Sequence, residues 1–278
     1  MTSDSHIDDA KGAMQVVGDL LKAAGDDPNA KRAAANLGMA AVTVTGTLNT
    51  LLLPFAAINF GVERAKQYFT NRFANDLAER TATIPPENVV EPKMSIAAPA
   101  IQGLAYSHEE SELRDLYLAL LATAMDGRVS TRAHPSFVEV IKQLNAEEAR
   151  ILRTLPRGVF EAGNNIPVAN IIIKADGAVG IQHAVRHLQP LTILGTETAA
   201  EHPDSTLAAE NWARLGLIEL RYDLSILVPG AYDWLETRPE VERLRASYPA
   251  PHNSISFERG ILRSTEFGAR FAKAVGIL

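Results

Sequence analysis

The chain has 278 residues, enough for about two compact units at roughly 150 residues each, so a core can be buried without disulfides or metals. Lysine and arginine number 27 against 33 aspartates and glutamates, and the formal charge of −6 argues against a protein that coats nucleic acid or an anionic membrane through bulk electrostatics. Cysteine is absent, which excludes disulfide frameworks, thiolate metal sites and a cysteine nucleophile.

Met1 to Asp9 carries Asp4, Asp8 and Asp9 and no lysine or arginine, the reverse of the basic segment that opens a secretory signal. A cytoplasmic location is therefore expected. Met14, Val17, Leu21 and Ala24 recur at helical spacing and predict a first amphipathic helix, stopped by Gly25 and Pro28. Ala33 to Val62 follows without a formal charge. It is long enough to span a bilayer, yet Asn36, Asn49, Asn59, four threonines, three glycines and Pro54 favour a soluble helix pair over a membrane-inserting element. Conditional or peripheral association with the inner membrane through residues 33–62 remains the alternative.

Glu63 to Arg80 continues a helical pattern through Phe69, Phe73 and Leu77, and prolines 85, 86 and 92 then make residues 81–93 a linker. Ser107 and Glu110 have capping-box spacing before a helix whose face is Leu113, Leu116, Tyr117, Leu120, Leu121 and Ala124. His134-Pro135-Ser136 opens a helix carrying Phe137, Val140, Ile141 and Leu144. Asn145 and Glu148 cap another that carries Ala149, Leu152 and Leu155 and stops at Pro156. Further on, Asp204–Leu215 reads as a helix and Leu217–Leu220 as a short strand, with strands around Glu258-Arg259-Gly260 and a last helix from Thr265 carrying Phe267, Phe271 and Val275. The expected fold is mainly α, with a helical N-terminal half followed by a winged-helix-like α+β C-terminal domain. Its segments are 1–32, 33–92, 93–145 and 146–278.

Few residues suggest chemistry. His183 and His187 could share a helix face as metal ligands do, but the glutamate of H-E-x-x-H is missing and Arg186 would repel a cation, so Gln182–Gln189 reads as a surface helix. Asp126, Arg128, Arg132 and His134 lie close together and form a candidate polar cluster for an anionic ligand, although Gly127 also suits a left-handed helix end there. Asn211 and Arg214 are the candidate nucleic-acid contacts of a DNA-reading winged helix, a thin supply beside Glu210. Phosphate-cradling loops and a G-x-S-x-G elbow are missing, so no catalytic residue, cofactor or metal is expected.

The stretch Glu112-Leu113-Arg114-Asp115-Leu116-Tyr117-Leu118-Ala119-Leu120-Leu121-Ala122-Thr123-Ala124-Met125-Asp126, with His134–Leu144 and Glu147–Leu152 after it, resembles the abortive-infection alpha family. Leu215-Gly216-Leu217-Ile218 and Thr265-Glu266-Phe267-Gly268 add a looser match. The resemblance implies a bacterial defence role against phage and carries no catalytic residues. The leading expectation is a non-enzymatic defence protein acting on an unidentified protein partner or phage component, with membrane perturbation through residues 33–62 and self-association left open. A winged-helix DNA-binding regulator is the alternative, and a cryptic hydrolase or nuclease comes third.

Overall fold

The computed structural model describes residues 59–177, 180–192 and 198–278, so the helix expected around Met14–Ala24 and the uncharged stretch up to Ile58 lie outside the described residues. Two compact units are present: the first runs to Ala146 and includes Lys273–Ile277, and the second spans Glu147–Ala272. No helix among the described residues is long and apolar enough to cross a membrane.

The described part of the first unit is helical. α1 (Asn59–Asn71) and α2 (Phe73–Thr81) are separate helices where the sequence predicts one, because Arg72 leaves helical geometry at φ −126°. The break lets Tyr68 stack on His108 with ring centroids 5.1 Å apart and donate its hydroxyl to Asp76 at 3.1 Å. The expected linker after α2 is pinned in place. Val89 is buried, Val90 N donates to Met125 O at 2.8 Å, and Gly127 N donates to Asn88 O at 2.8 Å.

α3 (Met94–Ser107) has no counterpart among the expected elements. Its sequence is apolar on every side and holds Pro99 in its interior, so it offers neither an amphipathic stripe nor an uninterrupted helical pattern. Ser107 ends this helix, with its hydroxyl donating to Gly103 O at 3.0 Å, and does not cap the next one. α4 (Ser111–Met125) begins after Glu110 and is buried well beyond the expected face: Leu118, Ala119, Ala122 and Met125 are covered as well. It is therefore the central helix of the described part of the unit. Lys273–Ile277 packs here too, with Thr123 Oγ1 donating to Ala274 O at 2.8 Å. α5 (Pro135–Lys142) starts where His134-Pro135 places it. His134 Nδ1 accepts from Ser136 N at 3.1 Å, and Phe137, Val138, Val140 and Ile141 are buried. Gly127 is not left-handed; it sits where a Cβ would fit tightly, 3.0 Å from Val90 and 3.1 Å from Asn88 O.

The second unit opens with α6 (Ala146–Thr154) and the short α7 (Arg157–Glu161) and then builds a curled antiparallel sheet. β1 (Ile166–Ala175), β2 (Gln182–Leu188), β3 (Ile218–Arg221) and β4 (Asn253–Ser264) lie in the order β2-β1-β4-β3. β1 pairs with β4 from Ile166↔Leu262 to Ala175↔Asn253. Gln182–Gln189 is thus an edge strand and its flank, and not the expected helix. Its alternation is masked because edge positions are half exposed on both faces. The segment around Glu258-Arg259-Gly260 is likewise one continuous strand with no turn. Gly260 serves close approach, since a Cβ there would meet the Tyr222 ring at 2.7 Å.

α8 (Ser205–Arg214) ends in a Schellman motif. Gly216 has φ +73°, its N–H donates to Ala213 O at 3.0 Å, and Leu217 N donates to Trp212 O at 2.9 Å. α9 (Pro239–Ser247) follows a 3-10 turn at Asp233–Thr237, and α10 (Glu266–Ala274) is the expected last helix. Thr265 caps α10 by accepting from Gly268 N at 2.8 Å, and its hydroxyl donates to Gly216 O at 2.5 Å. The two loosely matching segments, Leu215–Ile218 and Thr265–Gly268, therefore form one clasp between the end of α8 and the start of α10. Around Ala169, Ile171, Leu188, Tyr232, Leu235 and Val241 the sheet buries its own core. Arg238 is 3% exposed and donates to Leu191 O at 3.0 Å and Ala200 O at 2.9 Å while paired with Glu240.

Candidate functional site

The acidic member of the candidate polar cluster, Asp126, is buried at the end of α4. It accepts from Arg128 Nε at 2.8 Å, Arg128 Nη2 at 2.6 Å and Arg128 N at 3.0 Å. Hydrogen bonds from Arg128 hold the Asp126 carboxyl below the usual carboxylate range, with Arg132 adding to the effect through its charge. The Arg128 fork is thus occupied by the carboxylate beside it, and a free phosphate fork is not on offer. Arg132 is exposed, and His134 is spent on capping α5. Proximity in sequence brings Asp126 and Arg128 into contact, while Arg132 acts on Asp126 only through its charge and His134 is engaged elsewhere.

Asn211 and Arg214 on α8 are also engaged. Asn211 Nδ2 donates to both oxygens of the buried Glu148, at 3.1 and 3.0 Å, and its Oδ1 accepts from Arg214 Nη2 at 2.7 Å. An amide oriented by a buried carboxylate on one side and a guanidinium on the other is poorly placed to read a base edge.

His187 marks the most constrained polar position in the sheet. Between Ala169↔Leu188 and Ile171↔Val185, Arg186 and His187 face the single residue Asn170, which is a β-bulge. His187 takes φ +51°, the left-handed region that non-glycine residues rarely adopt. The ladder bond lost at the bulge is replaced by the Asn170 side chain: His187 N donates to Asn170 Oδ1 at 3.0 Å, and Asn170 Nδ2 donates to Glu258 at 2.7 Å. On its other side His187 Nδ1 lies 2.8 Å from the Tyr222 hydroxyl, and Nε2 lies 3.6 Å from Glu210. Tyr222 directly follows one edge strand and His187 belongs to the other, so this bond joins the two edges of the curled sheet. Burial pushes the His187 imidazole below its ordinary value, against the pull of Glu210, and burial raises the Tyr222 phenol, with Glu258 adding to the rise. His183 lies on the same strand with its Nδ1 buried and unpartnered. Among the described residues no group of three or more histidines and carboxylates could hold a metal.

A different surface stands out after β3. Leu227 is 90% exposed, Val228 68% and Leu224 42%, in a loop that closes at Pro229-Gly230 with Gly230 at φ +82°. The base of the loop is held firmly. Ile226 N donates to the Tyr232 hydroxyl at 3.0 Å, that hydroxyl donates to Gly260 O at 2.8 Å, and the Arg259 guanidinium lies 5.2 Å over the Tyr232 ring. Exposed leucine and valine on an anchored loop form a displayed apolar surface, and such surfaces mark interaction sites. This loop is not among the sites expected from the sequence. Its signal is Ile226-Leu227-Val228 running directly into Pro-Gly, which places an apolar run at a turn.

Comparison with known proteins bears on this geometry in one respect. Residues 65–275 match the family model described as abortive infection alpha, a span that takes in part of the first unit and the second, and no curated protein or solved structure matches the chain.

Proposed function

The chain belongs to the abortive infection alpha family, which implies a defence-type role, and on that premise we propose that it acts without catalysis, by protein contact through the anchored apolar loop. The observation that carries the mode of action is the exposure of Leu224, Leu227 and Val228 above the Tyr232 anchor. The absence of a catalytic step is favoured by the His187 and Tyr222 pair: a phenol raised by burial is a weak nucleophile, and the nearest carboxylate stands 3.6 Å from the imidazole. The pair serves as a closure of the sheet.

The partner is a protein or phage component, and the effect on an infected cell is arrest or death. Membrane perturbation by the uncharged segment Ala33–Val62 is a finer form of the same proposal. Expression in a phage-sensitive bacterium, followed by plating a broad phage panel, is expected to lower plaque numbers and survival of infected cells. Leu227→Asp and Val228→Asp are expected to abolish protection while leaving the melting temperature unchanged, since both side chains are in solvent. Protection that persists in the folded loop variants overturns the contact reading, and unchanged plaque counts with the native chain overturn the defence role. Growth arrest that persists in well-folded Ala41→Asp and Leu52→Asp variants removes the membrane step.

The second reading is a winged-helix DNA-binding regulator, supported by the run of α8, Gly216 and β3 into antiparallel β4. It ranks behind partner contact because Asn211 and Arg214 are engaged with Glu148 and with each other. Duplex binding that weakens steeply with salt would reverse this order.

A further inference from the structure

The first unit contains a cavity of about 600 Å³ among α3, α4 and α5, well within the range of small-molecule sites. Its apolar wall is Leu113, Ile141 and Leu144, and Tyr117 projects into it from the central helix α4. Tyr117 is 2% exposed, and its hydroxyl forms no hydrogen bond among the described residues, whereas the neighbouring Ser107 hydroxyl is satisfied by Gly103 O. The room for that hydroxyl comes from Gly103, where a Cβ would lie 2.3 Å from the Tyr117 oxygen. A glycine inside a helix is normally unfavourable, and here it accommodates a polar atom that the fold itself leaves unused. Phenylalanine would fill the same wall without presenting an unpaired hydroxyl to the cavity.

The rim narrows the choice of occupant. Lys142 and Glu110 are the charged residues of the lining, and Lys142 is already paired with Glu139 at 3.0 Å, which leaves the rim with the negative charge of Glu110 and no spare cation for an anion. Tyr106, 58% exposed at the mouth, presents a ring for stacking, and Gln102 contributes an amide. We propose that this cavity is a binding site for an uncharged planar heteroaromatic molecule of nucleoside size, with the Tyr117 hydroxyl donating a hydrogen bond to an acceptor on its ring. The site lies wholly in the first unit and is independent of the apolar loop.

The test is calorimetric titration of the full chain with adenosine, guanosine, cytidine and uridine, with the 5′-monophosphates as charged controls. At least one nucleoside is expected to bind with saturation, and its monophosphate at least about tenfold more weakly. Tyr117→Phe is expected to weaken that binding at least about tenfold while the unliganded variant melts at or above the native temperature, because the hydroxyl removed makes no hydrogen bond in the fold. Gln102→Ala gives a second, rim-located loss of affinity with an unchanged melting temperature. The proposal is overturned if no nucleoside binds up to about 1 mM, if Tyr117→Phe binds as well as the native chain, or if the unliganded variant melts lower, which would assign the hydroxyl to the fold.

Discussion

Gly268→Ala tests the clasp between α8 and α10 most sharply, because two opposing effects of known size meet at one atom. On an exposed helix the change would stabilise the protein by up to about 1 kcal/mol through helix propensity. At Gly268, however, the new Cβ would fall 1.9 Å from Leu217 O and 2.7 Å from Leu217 C, both backbone atoms that a rotamer change cannot move. Leu217 is itself held by its N–H to Trp212 O, by accepting from Thr265 N at 3.1 Å, and by complete burial. Relief therefore requires α10 to shift away, which strains the Thr265 bonds to Gly216 O and Gly268 N. Overpacking of this kind costs about 1 to 3 kcal/mol or more, and the cap bonds are worth about 1 kcal/mol, so after the propensity gain the net expectation is a loss of about 1 to 3 kcal/mol. The assay is urea denaturation followed by far-UV circular dichroism, with Gly180→Ala as the control, since that position has open space around it. Native-like or raised stability for Gly268→Ala would refute the clasp.

Two further perturbations probe the bulge. Asn170→Ala removes the acceptor of His187 N–H and the donor to Glu258 together, and it is expected to cost about 2 to 4 kcal/mol in the same denaturation assay; a change below about 0.5 kcal/mol would show that solvent replaces both bonds. The imidazole of His187 is held by burial below its ordinary value, so the unfolded chain takes up this proton at higher pH than the folded one. Its contribution to stability is therefore complete above about pH 6.5 and is lost progressively as the pH falls from there toward the folded value. His187→Gln is expected to flatten that part of the stability curve in urea midpoints measured against pH, and an unchanged slope in the variant would place the acid sensitivity elsewhere.

Helices whose boundaries are set by local chemistry were legible in the sequence. α5 begins at His134-Pro135 because a proline at the first helical position and a capping side chain before it act within one turn. The helix expected over Asp204–Leu215 is found as α8, and Gly216 supplies its left-handed stop. α3 was not legible, since a helix apolar on every side and broken in pattern by Pro99 shows no amphipathic period. β1 failed for a related reason: Ile166–Ala175 is buried from both sides along most of its length, so its sequence does not alternate. At β2 the four-residue spacing of His183 and His187 fits a helix face as readily as a strand face. The bulge that distinguishes them depends on Asn170, in a different strand. The apolar loop was missed because exposure is a tertiary property. Ile226 beside it is partly buried on the core while Leu227 is in solvent, and nothing in their chemistry separates the two.

The distribution of arginines explains why contact through apolar groups is favoured over binding to a polyanion. Arg128 faces Asp126, Arg221 faces Asp223, Arg238 faces Glu240, Arg243 faces Glu201 and Arg263 faces Glu219. Four of these pairs place their guanidinium at the surface, where a nucleic-acid phosphate would have to displace a covalently tethered carboxylate at high effective concentration. The formal charge of −6 is thus expressed locally as well as in total, because each of these surface arginines already has an acidic partner. Leu224, Leu227 and Val228 have no such internal partner for their exposed surface. Covering them removes apolar area from water at about 25 cal/mol per Å², a gain that needs no ion pair to be broken. Binding through this loop should therefore depend weakly on salt, whereas binding through the arginines should fall steeply with it.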